Sequence, residues 1–335
     1  MIIEIDPDLE SVLFEEFDAQ YCRRRGDARF NADSDEAEVR AYLGTYFLRS
    51  WAEHTLIWKR LLTHKTIQAS LQSQECIRIL DVGSGTGGHL YAVVEQLRTK
   101  IKKSRIKILA IDANEQALHK QSKLHERKMF NGVEIDYKLM RFDLDSDRFG
   151  QQLQEACQHS EVNFDIVLSS KFLSEIGAYA QKEGLNSRGF YQRLLDVADQ
   201  VLSPHGIVSL VDVNVPIKQQ FVAEILRSEI QHVRTKGADL EVIMPLHCGA
   251  YYERCCENSK CYMTIPLELL HRGCSGETDK TQICFRVLAR EALSKQIFRD
   301  VETIPPIIYV NEAGTCYQGT ARRAQHDSEY TACFC

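Results

Sequence analysis

A chain of 335 residues that is 44% hydrophobic can bury one large core with appendages, or two modest domains. Its formal net charge of −6 argues against a wholly basic nucleic-acid-binding surface, and no apolar run approaches the roughly 18 residues needed to span a bilayer. The acidic opening Met1-Ile2-Ile3-Glu4-Ile5-Asp6 resembles neither a secretory signal nor an Arg-rich transit peptide, so a soluble, cytoplasmic protein with no membrane partner is expected.

Residues 1–70 read as helical and lie ahead of the core. Asp35 can cap a helix with Glu38 three residues on, and Val39, Tyr42, Leu43, Tyr46, Phe47, Ile57, Trp58 and Leu61 largely follow one face. This aromatic-rich segment is expected to form a cap over a pocket, with Tyr42, Tyr46 and Trp51 as packing residues that can also close on a ligand.

An apolar strand over 77–82 then ends beside Asp81, turns through Gly83, Gly85, Gly87 and Gly88, and opens a helix carrying Leu90, Val93, Val94 and Leu97 at helical spacing. Glycine reaches the backbone angles of such a turn cheaply, and the missing side chains let backbone approach a ligand. The helix start favours a carboxylate or phosphate. Gly83, Gly85 and Gly88 also satisfy G-x-G-x-x-G, so the loop alone does not name its ligand. Further strands are expected over 106–111, 134–140, 164–169 and 206–212, with amphipathic helices between them. That alternation argues for a parallel sheet wound on both faces. Ligands in such sheets sit beyond the carboxyl ends of the strands, where Asp81, Asp112, Asp143 and Ser169 all fall.

The run from Asp81 to Gly87, D-x-G-x-G-x-G, resembles the first motif of class I S-adenosylmethionine-dependent methyltransferases, and the resemblance covers roughly residues 75–215. It implies a mostly parallel, seven-stranded α/β sheet of Rossmann type with S-adenosylmethionine as cofactor. Asp81 would help hold the amino-acid end of the cofactor, with Gly83, Ser84, Gly85 and Gly87 forming its loop. Asp112, 24 residues after Gly88, would accept the ribose hydroxyls with Ala113 beside it. Asp143 and Leu144 would meet the adenine, and Ser169 would complete the cofactor site at the end of the strand that faces the methyl acceptor.

Five cysteines, Cys248, Cys255, Cys256, Cys261 and Cys274, fall in one 27-residue window flanked by His247 and His271. In a reducing compartment such a cluster reads as metal ligands before disulfides, and thiolates with an imidazole suit zinc or an iron–sulfur cluster equally. The order of motifs around them distantly resembles the methyltransferase-like factors of small-subunit ribosome assembly. That likeness implies an alternative function: a catalytically silent assembly factor that binds cofactor, metal and RNA. The chain thus divides into a helical cap (1–70), a cofactor-binding core (71–235), a terminal β hairpin (236–310) carrying a Cys-rich lobe at about 247–274, and a loosely packed tail (311–335).

The acceptor side is the quietest part of the sequence. The segment Ser169-Ser170-Lys171-Phe172 lacks the Asn-Pro-Pro-aromatic run used on adenine or glutamine amino groups, and no Pro-Cys pair stands there for pyrimidine carbon. Lys171, Glu175 and Asp212 lie near strand ends and are the candidates for orienting an acceptor or taking its proton. The acceptor itself, small molecule, protein or RNA, is left open.

Overall fold

A computed structural model describes residues 2–22, 34–102, 105–129, 132–158, 163–217, 220–244, 264–274, 276–300, 308–311 and 314–317. Five parallel strands form its centre: β2 (Ile77–Val82), β3 (Ile106–Asp112), β4 (Val133–Leu139), β5 (Phe164–Ser170) and β6 (Leu202–Val213). Their order is β4-β3-β2-β5-β6, so the chain reverses direction across the sheet between β2 and β5. β5 is buried at every position, and β2 at all but Arg78, as expected of strands covered on both faces.

The strands part the core into two apolar layers by simple alternation. Ile79, Ile108, Ile166 and Leu168 pack on one side with Trp58, Leu90 and Leu293. Leu80, Val82, Ile111 and Val167 pack on the other with Phe149, Leu194 and Leu226. The first layer is covered by α1 (Pro7–Ser11), α3 (Leu48–Leu61), α4 (Lys65–Ser73) and α5 (Gly88–Gln96), and α2 (Glu36–Tyr42) leads into α3. α6 (Glu115–Leu124) follows β3. The second layer is covered by α7 (Ser146–Gln158), α8 (Phe172–Lys182), α9 (Phe190–Val201) and α10 (Val222–Thr235). α11 (Glu291–Asp300) returns to the first layer through Leu293 and Ile297.

Beyond β6 the sheet turns antiparallel. β11 (Asp279–Ala289) pairs with β6 along Ile283–Ala289, and its free edge takes β9 (Glu241–Met244) at one end and β10 (Thr264–Leu270) at the other. β9 and β11 thus form the antiparallel pair of the expected terminal β hairpin. Two strands went unforeseen and raise the sheet to nine: β10, and β1 (Ile2–Glu4), which pairs parallel with β10 through Ile2 and Glu268. β10 was hidden by Pro266, which demotes a strand, and by its place inside the cysteine window. β1 is only three residues long, too short to show a period. Two short hairpins, β7 (Pro216–Ile217) with β8 (Gln220–Phe221) and β12 (Ile308–Asn311) with β13 (Gly314–Tyr317), lie outside this sheet.

The cap is helical as expected from Glu36 on. Asp35 accepts the Glu38 N–H at 2.9 Å, and the helix runs through a π turn at Leu43–Phe47 into α3 without a break. Its apolar face, Phe47, Trp51, Ile57 and Trp58, packs on α5 and the first layer.

Candidate functional site

The cleft lies beyond the carboxyl ends of β2, β3 and β5 and is roofed by α2 and α3. It encloses about 100 Å³ and opens to solvent. Gly83, Ser84, Gly85, Gly87, Asp112 and Ala113, all expected there, line it together with Lys171 and Glu175.

Two glycines in the loop have distinct jobs. A Cβ at Gly88 would stand 2.3 Å from the Phe47 carbonyl oxygen, so this residue lets the cap helix press directly on α5. Gly85 has φ +54° and nothing within 4 Å of where its Cβ would be: the cradle opens into the cleft. The loop's N–H groups are largely engaged internally. Gly83 and Ser84 donate to the Ile111 carbonyl at 2.9 and 3.0 Å, Gly87 to the Ser84 carbonyl at 3.0 Å, and Gly85 to Asp112 Oδ2 at 2.8 Å.

Asp112 therefore closes β3 as a preformed acceptor. Its other oxygen receives the Asn114 N–H at 2.8 Å, while the Asn114 side chain caps α6 by accepting from Ala117. Burial pushes the Asp112 carboxyl up to about 6, against the pull of these two N–H groups.

Asp81 is differently placed from what the motif suggested. Its carboxylate is fully buried and is not among the residues lining the cleft; it accepts the Ser84 hydroxyl at 2.6 Å and His89 Nε2 at 2.7 Å. The side chain that lines the cleft is His89. The ring of His54, on α3, stands 5.3 Å from that of His89. His54 Nδ1 lies 3.0 Å from the Ser50 carbonyl, so Nδ1 carries the proton and the buried Nε2 has no partner among the described residues. Burial holds the His54 pKa well below its usual value, reinforced by His89.

Asp143 and Leu144 also fall outside the lining. The Asp143 N–H donates to Gln152 Oε1 and its carboxylate accepts the Asp145 N–H, both at 2.8 Å, which closes a turn; Leu144 packs against the second layer. At the end of β5 the lining residue is Ser170 and not Ser169, since alternation turns neighbouring side chains to opposite faces. Both hydroxyls are buried without a partner among the described residues.

Lys171 follows with φ +58°, a left-handed conformation for a residue with a side chain, and its N–H donates to the Val211 carbonyl. Its ammonium is buried against Glu53 of α3, 2.7 and 2.8 Å from the two carboxylate oxygens, and Thr281 Oγ1 donates to Glu53 at 3.1 Å. Burial raises the Glu53 pKa and Lys171 opposes the rise. Asp212 is fully spoken for: it accepts from the N–H groups of Ser174 and Val213 and the hydroxyls of Ser174 and Tyr191, and it does not line the cleft. It pins α8 and α9 to β6.

The roof contributes Tyr42, Tyr46, Phe47 and Ser50, with the two tyrosine rings 4.9 Å apart. Trp51 is not in the lining; its indole N–H donates to Glu95 at 3.3 Å. Sequence reasoning missed His89, Glu53 and Ser170. His89 alone left a signal, a titratable side chain one residue past the glycine loop.

Of the expected metal ligands, His247, Cys248, Cys255, Cys256 and Cys261 lie outside the described residues. Cys274 is buried with its sulfur 2.9 Å from His271 Nε2, beside Asp279, which Arg49 holds in a two-pronged ion pair at 2.6 and 2.7 Å. Among the described residues no three His, Cys, Asp or Glu side chains are grouped to hold a metal. Residues 264–270 of the expected lobe are strand β10 of the main sheet.

A family model described as a methyltransferase domain matches residues 73–265. No curated protein matches the chain. Among solved structures, the plantazolicin methyltransferase BpumL with a triazolic desmethylPZN analog and SAH is similar at 14% identity and a TM-score of 0.43, over 85% of this chain and 99% of that one. The magnesium protoporphyrin IX methyltransferase ChlM from Synechocystis PCC 6803 with bound SAM is similar at 10% identity and a TM-score of 0.37, over 84% of this chain and 90% of that one.

Proposed function

Since the chain belongs to the methyltransferase domain family and is an S-adenosylmethionine-dependent methyltransferase, we propose that its cofactor sits in the cleft beyond β2, β3 and β5. In this reading the ribose hydroxyls go to Asp112, and the amino-acid end lies along Gly83, Ser84, Gly85 and Gly87. The carrying observation is the pairing of Asp112 with the empty cradle at Gly85: an oriented carboxylate faces a glycine whose missing side chain leaves open space. The bound cofactor supplies an electrophilic methyl group on a sulfonium. The chain's own contribution is to hold an acceptor atom about 3 Å from that carbon, to exclude water and to accept a proton.

The acceptor enters, on this proposal, between Tyr42 and Tyr46 of the roof and Lys171 and Glu175 at the end of β5, all of which line the same cleft. Equilibrium dialysis with S-adenosylmethionine tests the cofactor half. Wild-type protein should bind, and Gly85→Leu, whose Cβ enters open space in the cradle at a left-handed backbone angle, should not. Loss of stability in Gly85→Leu without loss of binding would sink the placement.

We also infer a structural metal held by the Cys-rich segment, supported by the buried Cys274 thiol facing His271. Metal analysis of anaerobically purified protein should give near-stoichiometric zinc or iron. No described helix is long and apolar enough to cross a membrane.

A further inference from the structure

We propose that His89 is the base that receives the acceptor's proton, and that Asp81 is the residue that positions it. This rests on the cleft being the site of methyl transfer. Three observations carry it. His89 is the imidazole in the cleft lining. Its Nε2 lies 2.7 Å from Asp81 Oδ1, and since the other Asp81 oxygen already receives the Ser84 hydroxyl, Nε2 carries the proton and donates it. Nδ1 is then the lone-pair side, and no hydrogen bond among the described residues occupies it. A carboxylate behind an imidazole, fixing its tautomer and steadying the cation that forms, is the arrangement a general base requires.

Three other titratable groups in or near the cleft are less suited. Lys171 is tied as a cation to Glu53, so it has donors only. Asp212 is closed off by four donors. His54, the neighbouring ring, donates its Nδ1–H to the Ser50 carbonyl, stands outside the cleft lining and is made a weak base by burial, so it does not compete for the acceptor's proton. In the transfer step the acceptor atom forms a bond to the methyl carbon, and the carbon–sulfur bond breaks with its electron pair remaining on sulfur. The acceptor's proton passes to His89 Nδ1, giving an imidazolium held by Asp81. It returns to water after product leaves.

Two measurements test this. In nitrogen NMR of histidine-labelled full-length protein at pH 8, His89, assigned by its disappearance in His89→Gln, should be the neutral Nε2–H tautomer, and Asp81→Asn should lose that preference. A charged ring, or an Nδ1–H tautomer, overturns the proposal. In the second, label transfer from methyl-labelled S-adenosylmethionine into clarified cell extract should fall at least about 100-fold in His89→Gln. S-adenosylmethionine affinity by dialysis should stay within about threefold of wild type. Asp81→Asn should move the acidic limb of the pH–rate profile, and Asp145→Asn, outside the cleft lining, should leave it in place. An unchanged rate, or a tenfold weaker cofactor affinity with an unchanged saturated rate, assigns His89 no role in proton transfer. Wild-type protein that labels nothing would instead refute the cleft as a transfer site, and the tautomer would still decide His89.

Discussion

Breaking the Lys171–Glu53 pair is the sharpest test of how the roof is held. The ammonium and carboxylate are 8% and 0% exposed and 2.7 Å apart, so neither charge has water to fall back on when its partner is removed. Lys171→Met or Glu53→Met alone should each cost about 3–5 kcal/mol, because one uncompensated charge is left buried. The double substitution puts two unbranched apolar chains of similar length in the same space. It should return most of that loss, short of about 1 kcal/mol for the Thr281 hydroxyl that loses its acceptor. The left-handed backbone at residue 171 is common to Lys171→Met and the double variant and cancels between them. Urea unfolding of the four proteins reads the cycle as shifts in midpoint at constant slope, and a coupling energy of at least about 3 kcal/mol is expected. Single losses below about 1 kcal/mol that simply add would mean the pair behaves as a screened surface contact, and the account of the roof would be wrong.

Cofactor affinity should depend on pH through Asp112. Its carboxyl is pushed up to about 6 in the free protein and must be ionised to accept two hydroxyls, so affinity is full above that value and falls as pH drops through it. Dialysis at pH 5 should give a dissociation constant about tenfold weaker than at pH 8, and Asp112→Asn should bind weakly with no such slope. Gly88→Ala places a methyl group 2.3 Å from the Phe47 carbonyl and should destabilise the protein by about 1–3 kcal/mol in denaturant unfolding, as the cap helix is forced off α5. Asp212→Asn leaves the Ser174 and Tyr191 hydroxyls short of an acceptor and should cost about 1–3 kcal/mol by the same measure, while leaving dialysis-measured cofactor binding intact.

Periodicity and turn chemistry were enough for the centre of the fold. Ile77–Val82 and Phe164–Ser170 are continuous apolar runs bounded by turn signals, and both are strands to within a residue of expectation. The antiparallel edge was half legible: β9 and β11 showed, whereas β10 carries a proline and β1 has three residues. In the site, the spacing of acids and glycines pointed to the loop and to Asp112. It could not say which way Asp81 points, because the direction is decided by His89 and Ser84 competing for its oxygens in three dimensions. Glu53 was invisible for a related reason. It is a carboxylate on an apolar helix face whose partners, Lys171 and Thr281, lie 118 and 228 residues away.

The roof of the cleft is fastened by the far end of the chain. Glu53 takes a hydroxyl from Thr281, Arg49 clasps Asp279, and Ile2–Glu4 zips onto Glu268–Leu270. Strand Ile2–Glu4 thus has no sheet partner until Glu268–Leu270 has been synthesised, and the whole glycine loop is made before that pairing can form. A fragment ending at α10 would keep the whole glycine loop and both of its acids, yet its helical cover would lose Thr281, Asp279 and β10 and keep only its contacts with Lys171, α5 and the α6 region.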